Sequence, residues 1–110
     1  MSEEHTLDRL AALIHARRSD TSGKSYTTQL LAAGTERCAK KFGEEAVELV
    51  IAAMASDAKD VRAEAADVLY HLLVLLESRE IAFQDVLMVL KGRMGTSGLE
   101  EKASRGKSAS

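Results

Sequence analysis

The stretch Ala46-Val47-Glu48-Leu49-Val50-Ile51-Ala52-Ala53-Met54-Ala55 decides the fold. Every residue in it except Glu48 is apolar. A second stretch, Val68 to Leu76, is apolar throughout except for His71. Neither contains a glycine and the chain has no proline, so nothing interrupts a helix through either one. A helix that is hydrophobic on all sides is buried on all sides. One chain of 110 residues has too few other elements to cover two such helices. The expected architecture is all-α: a bundle of four to five helices, packed as an intertwined homodimer through the two long ones.

The long helices read as Glu36 to Ala55 and Ala58 to Ser78, separated by Ser56 and Asp57, with Thr35 as N-cap of the first. Gly43 lies inside the first at a cost of about 1 kcal/mol relative to alanine, which points to close packing or a bend. Upstream, Leu7, Leu10, Ala11, Leu13 and Ile14 give helical spacing over Thr6 to Arg18. A polar loop, Ser19 to Ser25, leads to a short helix over Tyr26 to Ala33, stopped by Gly34. Downstream, the Glu80-Ile81-Ala82 turn precedes a helix over Phe83 to Arg93, ended by Gly92 and Gly95. Residues 1–95 thus form one all-α domain. Residues 96–110 are a polar, basic tail with room for one helical turn over Leu99 to Ser104. No repeat and no strand-like alternation is present.

A formal net charge of -2 argues against general nucleic-acid binding, which usually needs a basic domain. With aromatics at 4%, the core must be built from Ala, Leu, Val and Ile. The single cysteine, Cys38, excludes an intrachain disulfide and a Cys-rich zinc site, and reads as a small apolar residue. Met1 to His5 is polar and acidic, without the basic-then-apolar pattern of a signal peptide. Val68 to Leu76 is too short to span a bilayer. The expectation is a soluble, cytoplasmic protein with no membrane or nucleic-acid partner.

The apolar runs make their carboxylates conspicuous, because an ionised carboxylate in an apolar face is costly unless paired or bound to metal. Glu48 has Glu45 three residues before it, and Asp67 has Glu64 three residues before it. Residues at i and i+3 are neighbours on a helix surface. Each long helix therefore presents a carboxylate pair, and an antiparallel hairpin brings the pairs together. Four converging carboxylates repel one another without a cation, and their hard oxygens suit Mg²⁺ or Mn²⁺ better than zinc. Mg²⁺ in such a site typically bridges carboxylates to substrate phosphates. Taken singly, the Glu44-Glu45 pair also reads as a solvated, dipole-favoured feature near a helix start.

Glu44-Glu45-Ala46-Val47-Glu48, fifteen residues, then Glu64-Ala65-Ala66-Asp67 resembles the Glu-Glu-x-x-Glu…Glu-x-x-Asp signature of all-α NTP pyrophosphohydrolases of MazG-type fold. Within that superfamily the chain resembles the phosphoribosyl-ATP pyrophosphohydrolases. Ser25-Tyr26-Thr27, Lys40 to Glu45, Ala65 to Leu73 and Gly98 to Arg105 carry the likeness, which covers about Leu7 to Arg105. The resemblance implies Mg²⁺-dependent hydrolysis of phosphoribosyl-ATP to phosphoribosyl-AMP and pyrophosphate, the second step of histidine biosynthesis. It implies Glu45, Glu48, Glu64 and Asp67 as metal ligands, with Glu44 orienting water or supporting the ligands.

The other polar residues carry weaker signals. Lys40 and Lys41, one turn before the acidic motif, read either as phosphate contacts or as solvated helix charges. Lys102 and Arg105 read as a disordered basic end, unless the family likeness gives them a substrate role. Ser25 and Tyr26 are candidates to line the site. His71, one turn after Asp67, reads first as a satisfied core histidine and second as a hydrogen-bond partner of a ligand. Three rival readings remain. A house-cleaning NTP pyrophosphohydrolase shares the metal site and differs in tail and base pocket. A di-iron carboxylate bundle wants Glu-x-x-His pairs, which are absent here. A non-catalytic helical dimerisation module leaves Glu48 and Asp67 unexplained.

Overall fold

A computed structural model describes residues 4–95, and these form five α-helices with no strand among them. The order is α1 (Glu4–Arg17), α2 (Tyr26–Ala33), α3 (Thr35–Ala55), α4 (Ala58–Ser78) and α5 (Phe83–Arg93). Each boundary has a local cause. The Ser25 hydroxyl accepts from the Thr28 amide and caps α2. Gly34, at φ 101°, takes a conformation open to glycine and separates α2 from α3. The Asp57 carboxylate accepts from the Asp60 amide at 3.0 Å and starts α4.

Thr35 is not the N-cap expected of it. Gly34 occupies that position without a side chain, and the Thr35 hydroxyl donates instead to the Ser78 carbonyl at 3.2 Å. That bond joins the start of α3 to the end of α4, so it fastens the antiparallel hairpin. The end of α4 closes with a paired turn: Ile81 N–H donates to the Leu76 carbonyl and Glu80 N–H to that of Glu77. Glycine usually sits at the left-handed position of this motif. Here Glu80 does, at φ 57°.

The α3–α4 hairpin is the most extensive helix pair, and α1 and α2 pack across it. Ile14, Leu30, Cys38, Leu73 and Val74 form the core, with Leu7, Leu10, Leu31, Tyr70 and Phe83 packed against it. Cys38 donates its thiol to the Leu30 carbonyl, and burial pushes its pKa up, so it behaves as the small core residue expected. Only one side of α3 is covered. Val47, Val50, Ile51 and Met54 are 57%, 58%, 53% and 83% exposed and lie at i, i+3, i+4 and i+7, one continuous stripe. On α5, Met88, Val89 and Leu90 are also half or more exposed. A Cβ placed on Gly43 meets no atom within 4 Å, so packing within the chain does not explain that glycine. Among the described residues, no helix is long and apolar enough to cross a membrane.

Candidate metal centre

The hairpin sets the two acidic pairs against each other. On α4, Glu64, Asp67 and His71 stand at i, i+3 and i+7 and share a face. On α3, Glu45 lies one turn before Leu49 and two before buried Ala52, on the side turned towards α4. One carboxylate oxygen from each of Glu45, Glu64 and Asp67 lies within 4.8 Å of the other two. Glu48 stands outside this trio, although its charge acts on Glu64. Partial burial pushes the Glu64 carboxyl above its usual pKa, and the charges of Asp67, Glu45, Glu48 and Asp60 push it the same way. Among the described residues, every charge that acts on Glu64 is a like charge.

Two details differ from the sequence reading. Glu48 and Asp67 were expected within buried faces, yet both are exposed in the single chain. The reason is the phase of α3: it turns Glu45 inward, leaves Glu48 at the edge, and faces Val47, Val50 and Ile51 outward. His71 is buried, as expected of a core histidine, but it is not satisfied. Its Nδ1 has no hydrogen-bond partner among the described residues, and its Nε2 stands 3.9 Å from Glu45 Oε1. Burial lowers the His71 pKa; the Lys41 charge adds to that effect, while Glu45 and Asp67 act against it. Burial thus favours the neutral imidazole.

The remaining expected site residues divide by position. Tyr26, 49% exposed at the start of α2, sets its ring edge-on to His71 with centroids 6.2 Å apart. Tyr70 does the same from α4 at 4.9 Å. Ser25 is occupied as the cap of α2. Lys41 lies 3.5 Å from Glu44 in an i, i+3 ion pair at the helix surface, and Lys40 is exposed. Lys102 and Arg105 lie outside the described residues. The hydrogen bond between the Thr27 and Tyr70 hydroxyls, which ties α2 to α4 beside His71, joins residues 43 apart and has no signal in the sequence.

A groove of about 510 Å³ lies elsewhere, between α1, the end of α4 and the start of α5. Ala11, His15, Leu73, Glu77, Ile81 and Phe83 are among its lining residues, and none of the acidic trio is. At the acidic site Glu45 and Glu64 are half-buried and Asp67 is exposed.

The model of the family described as phosphoribosyl-ATP pyrophosphohydrolase matches residues 7–94, the whole helical region. The chain belongs to the phosphoribosyl-ATP pyrophosphohydrolase family. A phosphoribosyl-ATP pyrophosphatase of Cereibacter sphaeroides is 53% identical over 100 residues, covering 91% of this chain and 97% of that protein. The phosphoribosyl-ATP pyrophosphatase of Dinoroseobacter shibae is 54% identical over 99 residues, 90% of this chain and 97% of that protein. Phosphoribosyl-ATP pyrophosphatase 1 of Rhodopseudomonas palustris is 54% identical over 100 residues, covering 91% and 94%. Family membership sets aside the di-iron bundle and the non-catalytic dimerisation module.

Proposed function

We propose that this chain hydrolyses phosphoribosyl-ATP to phosphoribosyl-AMP and pyrophosphate, at a Mg²⁺ site formed by Glu45, Glu48, Glu64 and Asp67. The observation that carries the metal is the convergence of Glu45, Glu64 and Asp67 oxygens within 4.8 Å, with the Glu64 pKa raised by burial and by like charges alone among the described residues. An all-oxygen donor set of this charge fits Mg²⁺, and Mn²⁺ equally well in ligand type. Phosphoribosyl-ATP as substrate follows from the family and from relatives that carry the enzyme's name over nearly their full length.

When bound, a divalent cation supplies charge neutralisation, a seat for triphosphate oxygens and a more acidic water. The chain's own residues do the rest. Glu45 and Glu64 approach from opposite helices and fix the position of the phosphates against the hairpin. Asp67 and Glu48 hold the open rim, where a phosphate chain can enter from solvent. Glu44 is available at the rim to orient water, and it shares Lys41 by ion pairing. Lys40 and Lys41 lie one turn from the acids, where an ammonium group assists a leaving pyrophosphate. Tyr26 and Ser25 bound the site at the start of α2. Lys102 and Arg105, in the tail of residues 96–110, serve the triphosphate or the extra ribosyl phosphate.

The same reading includes a homodimer. The Val47, Val50, Ile51 and Met54 stripe is too apolar to remain in water, and it borders the acidic site. A second copy covering this stripe also walls the site. The cytoplasm is the compartment where a biosynthetic enzyme of this kind works.

The test is a product assay offering phosphoribosyl-ATP beside ATP and dUTP, with and without Mg²⁺. Pyrophosphate release from phosphoribosyl-ATP, dependent on Mg²⁺, is expected. Preference for ATP or dUTP would instead assign the chain to nucleotide-pool cleansing, and metal-independent turnover would remove the site.

A further inference from the structure

His71 is the one buried polar side chain among the described residues, and folding alone does not explain it. It is 6% exposed, and its buried Nδ1 has no partner among the described residues. The edges of Tyr26 and Tyr70 close around the ring, and Tyr70 is itself held by the hydrogen bond from Thr27. The remaining polar atom, Nε2, lies 3.9 Å from a Glu45 carboxylate oxygen, just beyond hydrogen-bond distance. A neutral imidazole carries its proton on one nitrogen only. On Nδ1 that proton is a buried donor with no acceptor, which is costly. On Nε2 it faces a carboxylate. The unpartnered atom therefore selects the tautomer.

We propose that His71 is a positioning residue for Glu45: as the Nε2–H tautomer, it donates to the Glu45 carboxylate and keeps that carboxylate aimed at Glu64 and Asp67. This rests on the reading of the three acids as a cation site. Tyr26 and Tyr70 flank the ring edge-on, which narrows the orientations open to the donor before any cation arrives. Donors fixed in this way commonly affect metal affinity by about ten- to a hundred-fold, and hydrogen bonds in ligand-free sites are often long and tighten on binding. Tyr26 acquires a purpose in the same arrangement. It is half exposed at the site's edge yet helps to hold the buried ring, so α2 is coupled to the metal ligands through His71.

Two measurements decide the matter. Nitrogen-15 spectroscopy of the metal-free wild-type protein, labelled in its histidines, reads the His71 tautomer. Mn²⁺ binding, followed by electron paramagnetic resonance without nucleotide, compares wild type with His71→Gln, His71→Asn and Glu45→Gln. Glutamine places an N–H close to where Nε2 stood; asparagine places its own nearer Nδ1. The expected result is the Nε2–H tautomer, weaker Mn²⁺ binding by about ten- to a hundred-fold in His71→Asn, and most of it regained in His71→Gln. An Nδ1–H tautomer overturns the proposal, as does wild-type affinity in His71→Asn, or a His71→Gln variant as weak as His71→Asn. If neither His71 variant folds, the wild-type tautomer alone decides. Unchanged binding in Glu45→Gln defeats the cation site itself and the proposal with it. Weak binding in Glu45→Gln with normal binding in His71→Asn defeats only the role given to His71.

Discussion

Helix α4 carries two acidic clusters, and they are opposites. Near its start, Glu64 meets Asp67 and Glu45, and burial and like charges push its pKa up. Near its end, Glu77 meets Arg18 at 2.7 Å and His15 at 3.1 Å. Arg18 also donates to the Glu77 carbonyl. Burial pushes the Glu77 carboxyl up too, but the hydrogen bonds from Arg18 and His15 outweigh it and hold the pKa below the usual range. One cluster is balanced within the chain by Arg18; at the other, the charges that act on Glu64 from the described residues are all like charges. A structural ion pair is saturated when folding ends, whereas a cation site is left in debt. The difference between them, rather than the number of acids, supports the site proposed above.

The comparison breaks most visibly at the acidic trio. Asp67→Ala or Glu48→Ala is expected to lower kcat/KM for phosphoribosyl-ATP by about a thousandfold or more, since several kcal/mol of charge stabilisation are lost at a decade per 1.36 kcal/mol. Both variants should keep full helicity by circular dichroism, because each removes a repelling charge at an exposed position. Activity within a few-fold of wild type in either one would place catalysis elsewhere. Arg18→Ala, at the other cluster, should leave kcat/KM unchanged.

Stability should separate the clusters in the reverse sense. Mg²⁺ at about a hundred times its Kd is expected to stabilise the wild-type protein by about 2.7 kcal/mol, through binding to the folded state alone. Asp67→Ala should lose that response, and Arg18→Ala should keep it. Calorimetric scans with and without Mg²⁺ give both. Equal stabilisation of Asp67→Ala by Mg²⁺ would mean that the ion binds somewhere else. Arg18→Ala should itself cost about 1 kcal/mol, because it frees a largely buried carboxylate from its strongest partner. For a domain of this size that lowers Tm by about 4–8 °C.

These two clusters were unequally legible in the sequence. The acidic pairs could be read because each lies on one helix at i, i+3, where spacing fixes the face. The limits of α2, α4 and α5 were legible too, from Ser25, Gly34, Asp57 and the turn before Phe83. What periodicity cannot give is which face the rest of the chain covers. Glu48 was therefore read as buried, and α3 in fact turns it towards solvent beside Val47 and Ile51. The His15–Arg18–Glu77 cluster was invisible, since Glu77 lies 62 residues from His15 and 59 from Arg18 and none is unusual where it stands. His71 was legible as a buried residue but not as an unsatisfied one, because satisfaction depends on neighbours from α2 and α3. Thr35 shows a related limit: a good capping residue was diverted to the Ser78 carbonyl by the hairpin.

The smallest effects are those of pH, and they should run in opposite directions at the two ends of α4. Glu77 has a folded-state pKa below its unfolded value, so the fold prefers it ionised. Its contribution is fully present above the unfolded pKa, near 4.5, and is lost as pH falls through the folded value. Glu77→Gln should then be less stable than wild type at pH 7, by about 1 kcal/mol, with the gap closing on acidification below about pH 4.5. Glu64 has a folded-state pKa above its unfolded value, so the fold prefers it protonated. Its favourable contribution is present below the unfolded pKa and lost as pH rises through the folded one. Without a cation, Glu64→Gln should therefore equal or exceed wild type in stability at pH 7. Mg²⁺ should reverse that order, because it rewards the ionised carboxylate that glutamine lacks. Urea unfolding at pH 7 and pH 4, with and without Mg²⁺, reads all of these differences. A Glu64→Gln variant that is clearly less stable than wild type in the absence of any divalent ion would show that Glu64 already has a partner within the chain. The contrast between the clusters would then fail.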